Sequence, residues 1–149
     1  MISIQRCTSA DPRFQTLVGE LDADLLVRYG AKQSEYDVHN KGLADARVVI
    51  AMNEGAAVGC ACFKPLDAET IEIKRMYVQP GIRRLGVAQH ILAGLEQWGR
   101  EEGYRIAKLQ TAIKQPEAIA LYRKVGYRPT PAYGPYVDDA DSVCLEKEI

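Results

Sequence analysis

The sequence predicts a single α/β domain, residues 1–149, with elements in the order β-αα-βββ-α-β-α-ββ. Three observations carry that reading. Two β-prone runs flank Asn53-Glu54-Gly55, a hairpin signal with Gly at the position that needs positive φ. A long β-prone run ends at Pro80-Gly81 and gives way to a basic turn that opens into an amphipathic helix. Further on, Ala118, Leu121, Tyr122 and Val125 fall at i, i+3, i+4 and i+7, one buried stripe bracketed by Pro116 and Gly126. Pro suits the first turn of a helix and Gly its C′ position.

Taken in order, Ile2–Arg6 alternates as a first strand. Asp11-Pro12 begins a helix with apolar positions Phe14, Leu17, Val18, Leu21, Leu25 and Leu26, ended by Arg28-Tyr29-Gly30. Residues 31–45 are a polar connector or short helix. Ala46–Met52 and Ala57–Lys64 form the hairpin, and Pro65–Glu69 turns into the long strand Thr70–Gln79. The next helix, from about Arg84 to Glu102, is expected to bury Leu85, Ala88, Ile91, Leu92, Leu95 and Trp98, with Gly103 stopping it. Strand Arg105–Thr111, the helix of Tyr122, and strands Tyr127–Thr130 and Ser142–Glu148 complete the order. Repeats, linkers and low-complexity segments are absent from the sequence.

Composition bounds the function. A chain of 149 residues with 47% hydrophobic content and net charge −1 reads as an ordinary globule able to bury a real core. Its apolar runs are far short of a membrane span, and no basic-then-apolar leader precedes Ser3, so no membrane partner and a cytoplasmic location are expected. The cysteines Cys7, Cys60, Cys62 and Cys144 lack metal-ligand spacing, so no metal is expected. Cys60-x-Cys62 puts both thiols on one face of a strand, too close for an ordinary disulfide. Charge is uneven: residues 72–128 hold eleven Lys/Arg against five Asp/Glu, whereas residues 131–149 hold five acids against one Lys. The basic middle would attract a polyanionic cofactor. An acidic tail lining the opposite mouth would favour a cationic acceptor. With net charge −1 and this better explanation for the basic stretch, nucleic acid is not an expected partner.

The chemistry-bearing segment is 70–92. Strand, basic turn Arg83-Arg84-Leu85-Gly86-Val87-Ala88 and helix N-terminus together make an anion site. First-turn N–H groups point outward, the helix dipole adds partial positive charge, and a side chain at position 86 would hold a phosphate off the backbone. Neither Gly-x-x-x-x-Gly-Lys-Ser/Thr nor an early Gly-x-Gly-x-x-Gly is present, which leaves Walker-type and dinucleotide sites unsupported. Arg83-x-x-Gly86-x-Ala88 resembles the acyl-CoA pyrophosphate loop of the GNAT superfamily of N-acetyltransferases. Ala118-x-x-Leu121-Tyr122-x-x-x-Gly126-Tyr127 resembles the same family's late helix signature. The resemblance covers roughly residues 46–149 well and the first 45 loosely.

The resemblance implies a mixed, mostly antiparallel sheet of about seven strands with helices on both faces, and acetyl-CoA as cosubstrate. It implies cofactor contacts from Met76, Tyr77, Val78, Arg83, Arg84, Leu85, Gly86, Val87, Ala88, Gln115 and Tyr122. Val78 falls where relatives pair backbone with the pantetheine arm, and Met76 where a backbone N–H faces the acetyl oxygen. Such a preorganised donor is commonly worth ~3 kcal/mol of barrier. Gln115 stands where relatives often have Asn. Tyr122 is the implied general acid toward the departing thiolate. Glu72, six residues before Val78, is the candidate general base, with a strand bulge expected to relax its alternation with Lys74, Met76 and Val78. Each has a structural alternative, a core tyrosine and an exposed strand glutamate. His90 reads as a surface or core residue.

Tyr29, Tyr36 and His39 in the connector, with Tyr133 and Tyr136 before the last strand, are the expected acceptor wall. The reading is an N-acetyltransferase acting on a primary amine of a small molecule such as an amino acid, polyamine or aminoglycoside. Alternatives are a protein lysine or N-terminal acceptor, or an acyl-CoA-binding module without turnover. The oligomeric expectation is a monomer or a homodimer paired through Ser142–Glu148.

Overall fold

The computed structural model describes residues 1–29 and 43–149, apart from the side chains of Arg28, Tyr29 and Arg84. The strands are β1 (Ile2–Thr8), β2 (Arg47–Asn53), β3 (Ala56–Pro65), β4 (Thr70–Val78), β5 (Ile106–Ala112), β6 (Arg128–Pro129) and β7 (Ser142–Glu148). They form one seven-stranded sheet in the order β1-β2-β3-β4-β5-β7-β6. Neighbours run antiparallel except β4 and β5, which are parallel. This is the mixed sheet that the sequence predicts.

The helices are α1 (Pro12–Tyr29), α2 (Val87–Glu101) and α3 (Pro116–Lys124). Alternation along β2 explains why helices cover both faces. Val48 and Ile50 join Phe14, Leu17 and Leu21 of α1, while Val49 and Ala51 join Ile91, Leu92 and Leu95 of α2. A strand buried on both sides reads as a continuous apolar run, as Val48–Ala51 does. The β2–β3 turn has φ 51° at Glu54 and 82° at Gly55, so both central residues take the left-handed conformation of a tight hairpin. Gly59 lets α2 sit close to the sheet: a Cβ there would come within 3.0 Å of Ile91 Cδ1 and of the Tyr77 carbonyl.

A bulge in β4 places the functional residues. Cys60 pairs with Tyr77 but Cys62 pairs with Lys74, so Arg75 and Met76 together face Ala61, and Arg75 takes φ 60°. Before the bulge Ile71 and Ile73 face α2; after it Val78 does, and Tyr77 turns to α1. Glu72 and Lys74 therefore lie on the α1 face, and Val78 on the opposite one. Buried Cys60 and Cys62 donate their thiols to the carbonyls of Arg75 and Lys74, at 3.6 and 3.4 Å. Burial pushes the Cys62 thiol up to about 12.

Two sequence expectations need correction. The helix expected from Arg84 begins at Val87, preceded by a separate 3-10 segment, Pro80–Leu85. Gly86, at φ 74°, is the left-handed break between them, which a continuous helix does not tolerate. Leu85 consequently falls outside the helix register and is 60% exposed, and Val87 takes the buried position. Leu26 is also 58% exposed, because the α1 stripe follows Phe14, Leu17, Leu21 and Leu25 and leaves Leu26 one step around the helix.

Candidate active site

β4 and β5 pair only from Thr70↔Ile106 to Ile73↔Leu109, although β4 continues to Val78 and β5 to Ala112. Past that point the parallel strands part, and a wedge opens inside the sheet. Two connected spaces occupy it. A slot of about 470 Å³ runs along Met76, Tyr77 and Val78 to Arg83, Gly86 and Ala88, with Ala118, Leu121 and Tyr122 of α3 opposite. A smaller hollow of about 120 Å³ lies on the other side, lined by Lys74, Arg75, Gln110, Thr111 and Tyr136 among others. Leu21, Met76, Gln115 and Tyr122 line both and so mark the junction.

The loop end of the slot meets the N-terminus of α2. α2 begins at Val87 with Gly86 as its N-cap, no side-chain cap and no acid in its first turn, so no side chain of its own covers its first N–H groups. Arg83 donates from Nε to the Val78 carbonyl at 2.8 Å, which holds the basic turn against the end of β4. His90 is exposed with Nδ1 2.8 Å from the Gly86 carbonyl, in keeping with its reading as a surface residue. Leu85 and Val87 are not among the slot's lining residues, since one faces out and the other is core. Tyr77 and Gln79 both donate to Glu20 of α1, at 3.1 and 3.2 Å, pinning the helix to the strand end.

Tyr122 sits at the junction, 7% exposed, on the one fully inward position of α3. Its ring meets Tyr127 edge-on at 6.0 Å, and its hydroxyl makes no hydrogen bond to any described residue. Burial pushes the phenol up to about 12, so it stays protonated at neutral pH. Tyr127 itself is fixed from behind: its hydroxyl donates to Glu96 at 2.9 Å, and Glu96 also accepts from Lys147 at 2.9 Å.

Glu72 is 4% exposed and bonded on the α1 face, not lining either space. Its carboxylate accepts from the Tyr133 hydroxyl at 2.9 Å and lies 3.6 Å from Lys74 Nζ. Lys74 in turn donates to the Tyr136 hydroxyl at 3.1 Å. The rings of Tyr133 and Tyr136 stack edge-to-face at 5.4 Å. Burial, then the Glu72 charge, pushes both phenols above their ordinary range. Burial lowers the Lys74 ammonium, with Glu72 opposing. Pairing across the sheet sets Lys64, Glu72, Lys108, Glu146 and Arg128 side by side in one row of alternating sign.

Of the residues expected at the acceptor wall, Tyr136 lines the hollow and Tyr133 stands behind it on Glu72. Tyr36, His39 and the Tyr29 side chain lie outside the described residues, as does the Arg84 side chain of the loop. The acids of the last segment do not line the hollow. Asp139 instead accepts from the Asp141 N–H and the Ser142 hydroxyl within its own turn. Sequence reasoning missed Lys74 and Arg75 as lining residues, and Leu21, Gln110 and Thr111 with them. Arg75 forms an ion pair with Asp22 of α1. Glu96 carried a signal, a carboxylate on the buried stripe of Leu92, Leu95 and Gly99.

The model of the Acetyltransferase (GNAT) family matches residues 14–127. The chain is 32% identical to an IAA acetyltransferase of Azospirillum brasilense, over 99% of this chain and 98% of that one. A solved Klebsiella pneumoniae protein described as an acyl-CoA N-acyltransferase superposes with a TM-score of 0.83 at 30% identity, covering 99% and 97% of the two chains. A GNAT family acetyltransferase from Elizabethkingia anophelis, solved with acetyl-CoA bound, shares the fold at a TM-score of 0.74 and 20% identity, over 99% and 98%.

Proposed function

The chain belongs to the GNAT acetyltransferase family and is an N-acetyltransferase, and on that premise we propose that it moves the acetyl group of acetyl-CoA directly to the primary amine of a small molecule. One observation carries the reading. The slot and the hollow meet at Tyr122, Met76, Gln115 and Leu21, so a thioester held in one and an amine held in the other would come together there.

The residues present fit acetyl-CoA. The uncapped α2 N-terminus with Arg83 beside it suits a pyrophosphate. Beyond Ile73 no β5 residue pairs with β4, so main-chain groups at Met76 and Val78 can serve the pantetheine arm and the acetyl oxygen. When bound, acetyl-CoA supplies the activated acetyl carbonyl and a thiolate leaving group. Tyr122 then donates its phenolic proton to the sulfur as the C–S bond breaks, which also gives its hydroxyl a partner. The amine that forms the new C–N bond loses one proton. We assign that proton to Glu72, relayed through the Tyr136 hydroxyl, which lines the hollow and hydrogen-bonds the Glu72 carboxylate.

The test is acetyl-CoA turnover against amines, amino acids, polyamines, aminoglycosides and lysine peptides, read by product mass because four free thiols confuse thiol-reactive dyes. A single acetyl gain on a small amine is expected. Acetylation of peptides alone would move the acceptor to protein. Acetyl-CoA binding with no product from any acceptor would favour a binding module.

A further inference from the structure

The hollow has a chemistry that narrows the acceptor. Two basic residues, Lys74 and Arg75, line it, each with its side chain more than nine-tenths buried. Among the described residues no Asp or Glu lines it; the remaining polar lining is Gln110, Thr111, Gln115 and Tyr136. The nearest carboxylates each pair with one of these cations from outside the lining, Glu72 with Lys74 and Asp22 with Arg75. Glu72 lies behind Lys74 and accepts from Tyr133, and Asp22, on the outer side of Arg75, is half exposed. Lys64 and Lys108 flank Glu72 on the same face, with Glu146 beyond Lys108.

A cationic body such as a polyamine would meet two cations and no acid in the lining. A carboxylate would meet charge-assisted donors instead. The same field favours the neutral, nucleophilic form of an amine held nearby, because a neighbouring cation opposes its protonation. Resting on the acetyltransferase reading above, we infer that the acceptor is an amine that also carries a carboxylate, seated with that carboxylate toward Lys74 and Arg75 and its amine toward Tyr122. The small volume of the hollow, about 120 Å³, suits an acceptor of amino-acid size better than a peptide or an aminoglycoside.

The experiment uses matched acceptors: α-amino acids, their carboxamides and the corresponding decarboxylated amines, with spermidine as the polycation, each assayed for kcat/KM by product mass. The acid is expected to exceed its amide by about tenfold or more, the size of one charge-assisted hydrogen bond. Lys74→Met is expected to bring that ratio near one while the Kd for acetyl-CoA stays within about threefold of wild type. Equal use of acid and amide, or a preference for spermidine, overturns the carboxylate seat and leaves acetyl transfer standing. If no amine is acetylated, calorimetric titration of N-acetyl amino acids and their amides into protein saturated with CoA decides the matter. Selective binding of the acids, lost in Lys74→Met, upholds the seat. Equal binding or none overturns it.

Discussion

Replacing Tyr122 with Phe separates two explanations of a buried tyrosine, because they predict opposite signs. The ring is 7% exposed and its hydroxyl bonds no described residue. The hydroxyl faces the junction and no described residue holds it, so deleting it should leave the free protein as stable as before or more stable by up to about 1 kcal/mol. In a chain of this length that is a rise of roughly 2–4 °C in Tm. Catalysis should move the other way. Loss of a positioned general acid commonly costs about 10²–10⁴ in rate, and kcat should fall by at least about 100-fold with the Kd for acetyl-CoA little changed. Since burial holds the phenol up at about 12, the loss should be uniform between about pH 6 and pH 9. Urea unfolding, calorimetric acetyl-CoA binding and mass-based turnover on one preparation supply all three readouts. A variant that turns over within about threefold of wild type, or one destabilised by about 2 kcal/mol, would refute the reasoning and return Tyr122 to the core.

Gly86→Ala puts a Cβ where φ is 74°, with no neighbouring atom nearer than 4.0 Å, so the fold should lose only about 1–2 kcal/mol. Acetyl-CoA affinity should fall by about tenfold or more in calorimetry, since the methyl group stands beside the first N–H groups of α2; stability loss with undiminished affinity would remove the loop from the site. Glu96→Gln keeps a hydrogen-bond acceptor for Tyr127 but leaves the half-buried Lys147 without its counter-charge, and urea unfolding should register a loss of about 1–3 kcal/mol. Asp11 accepts from the Arg13 backbone and guanidinium, which hold its carboxyl down at about 2. A depressed carboxyl stabilises the fold above its unfolded value of about 4 and ceases to do so as pH falls through its folded value. Asp11→Asn should therefore melt below wild type at neutral pH and converge with it near pH 2; a gap of constant size across that range would show the ion pair contributes nothing.

Much of the framework could be read from residue order, because local chemistry marks it. Gly86 after a basic turn, Pro116 and Gly126 around the Tyr122 stripe, and the Glu54-Gly55 turn each depend on near neighbours in the chain. The bulge in β4 was expected, yet counting alone could not say which residue absorbs it. Arg75, a left-handed residue that is not Gly, has no sequence signature. That one residue decides that Lys74 faces α1 while Val78 faces α2. The hollow was hidden for a related reason: it exists because β4 and β5 stop pairing at Ile73↔Leu109, a property of two distant segments. Leu85 was misplaced because periodicity runs through a glycine that the backbone does not.

The strand order has a bearing on how the molecule is assembled. β7, the last strand in the chain, is not at an edge but lies between β5 and β6. Strands β1 to β5 can join in the order in which they are synthesised, but the sheet then waits on residues 142–148. Until they arrive, β5 presents its outer edge from Ile106 to Ala112, the kind of row that recruits a strand from another molecule. The two-residue β6 has only β7 to hold it, and Lys147 has yet to reach Glu96. A nascent chain halted short of Ser142 would thus lack the strand that closes its sheet. Chaperone dependence and aggregation should concentrate in the interval before residues 142–148 emerge, not be spread along the chain.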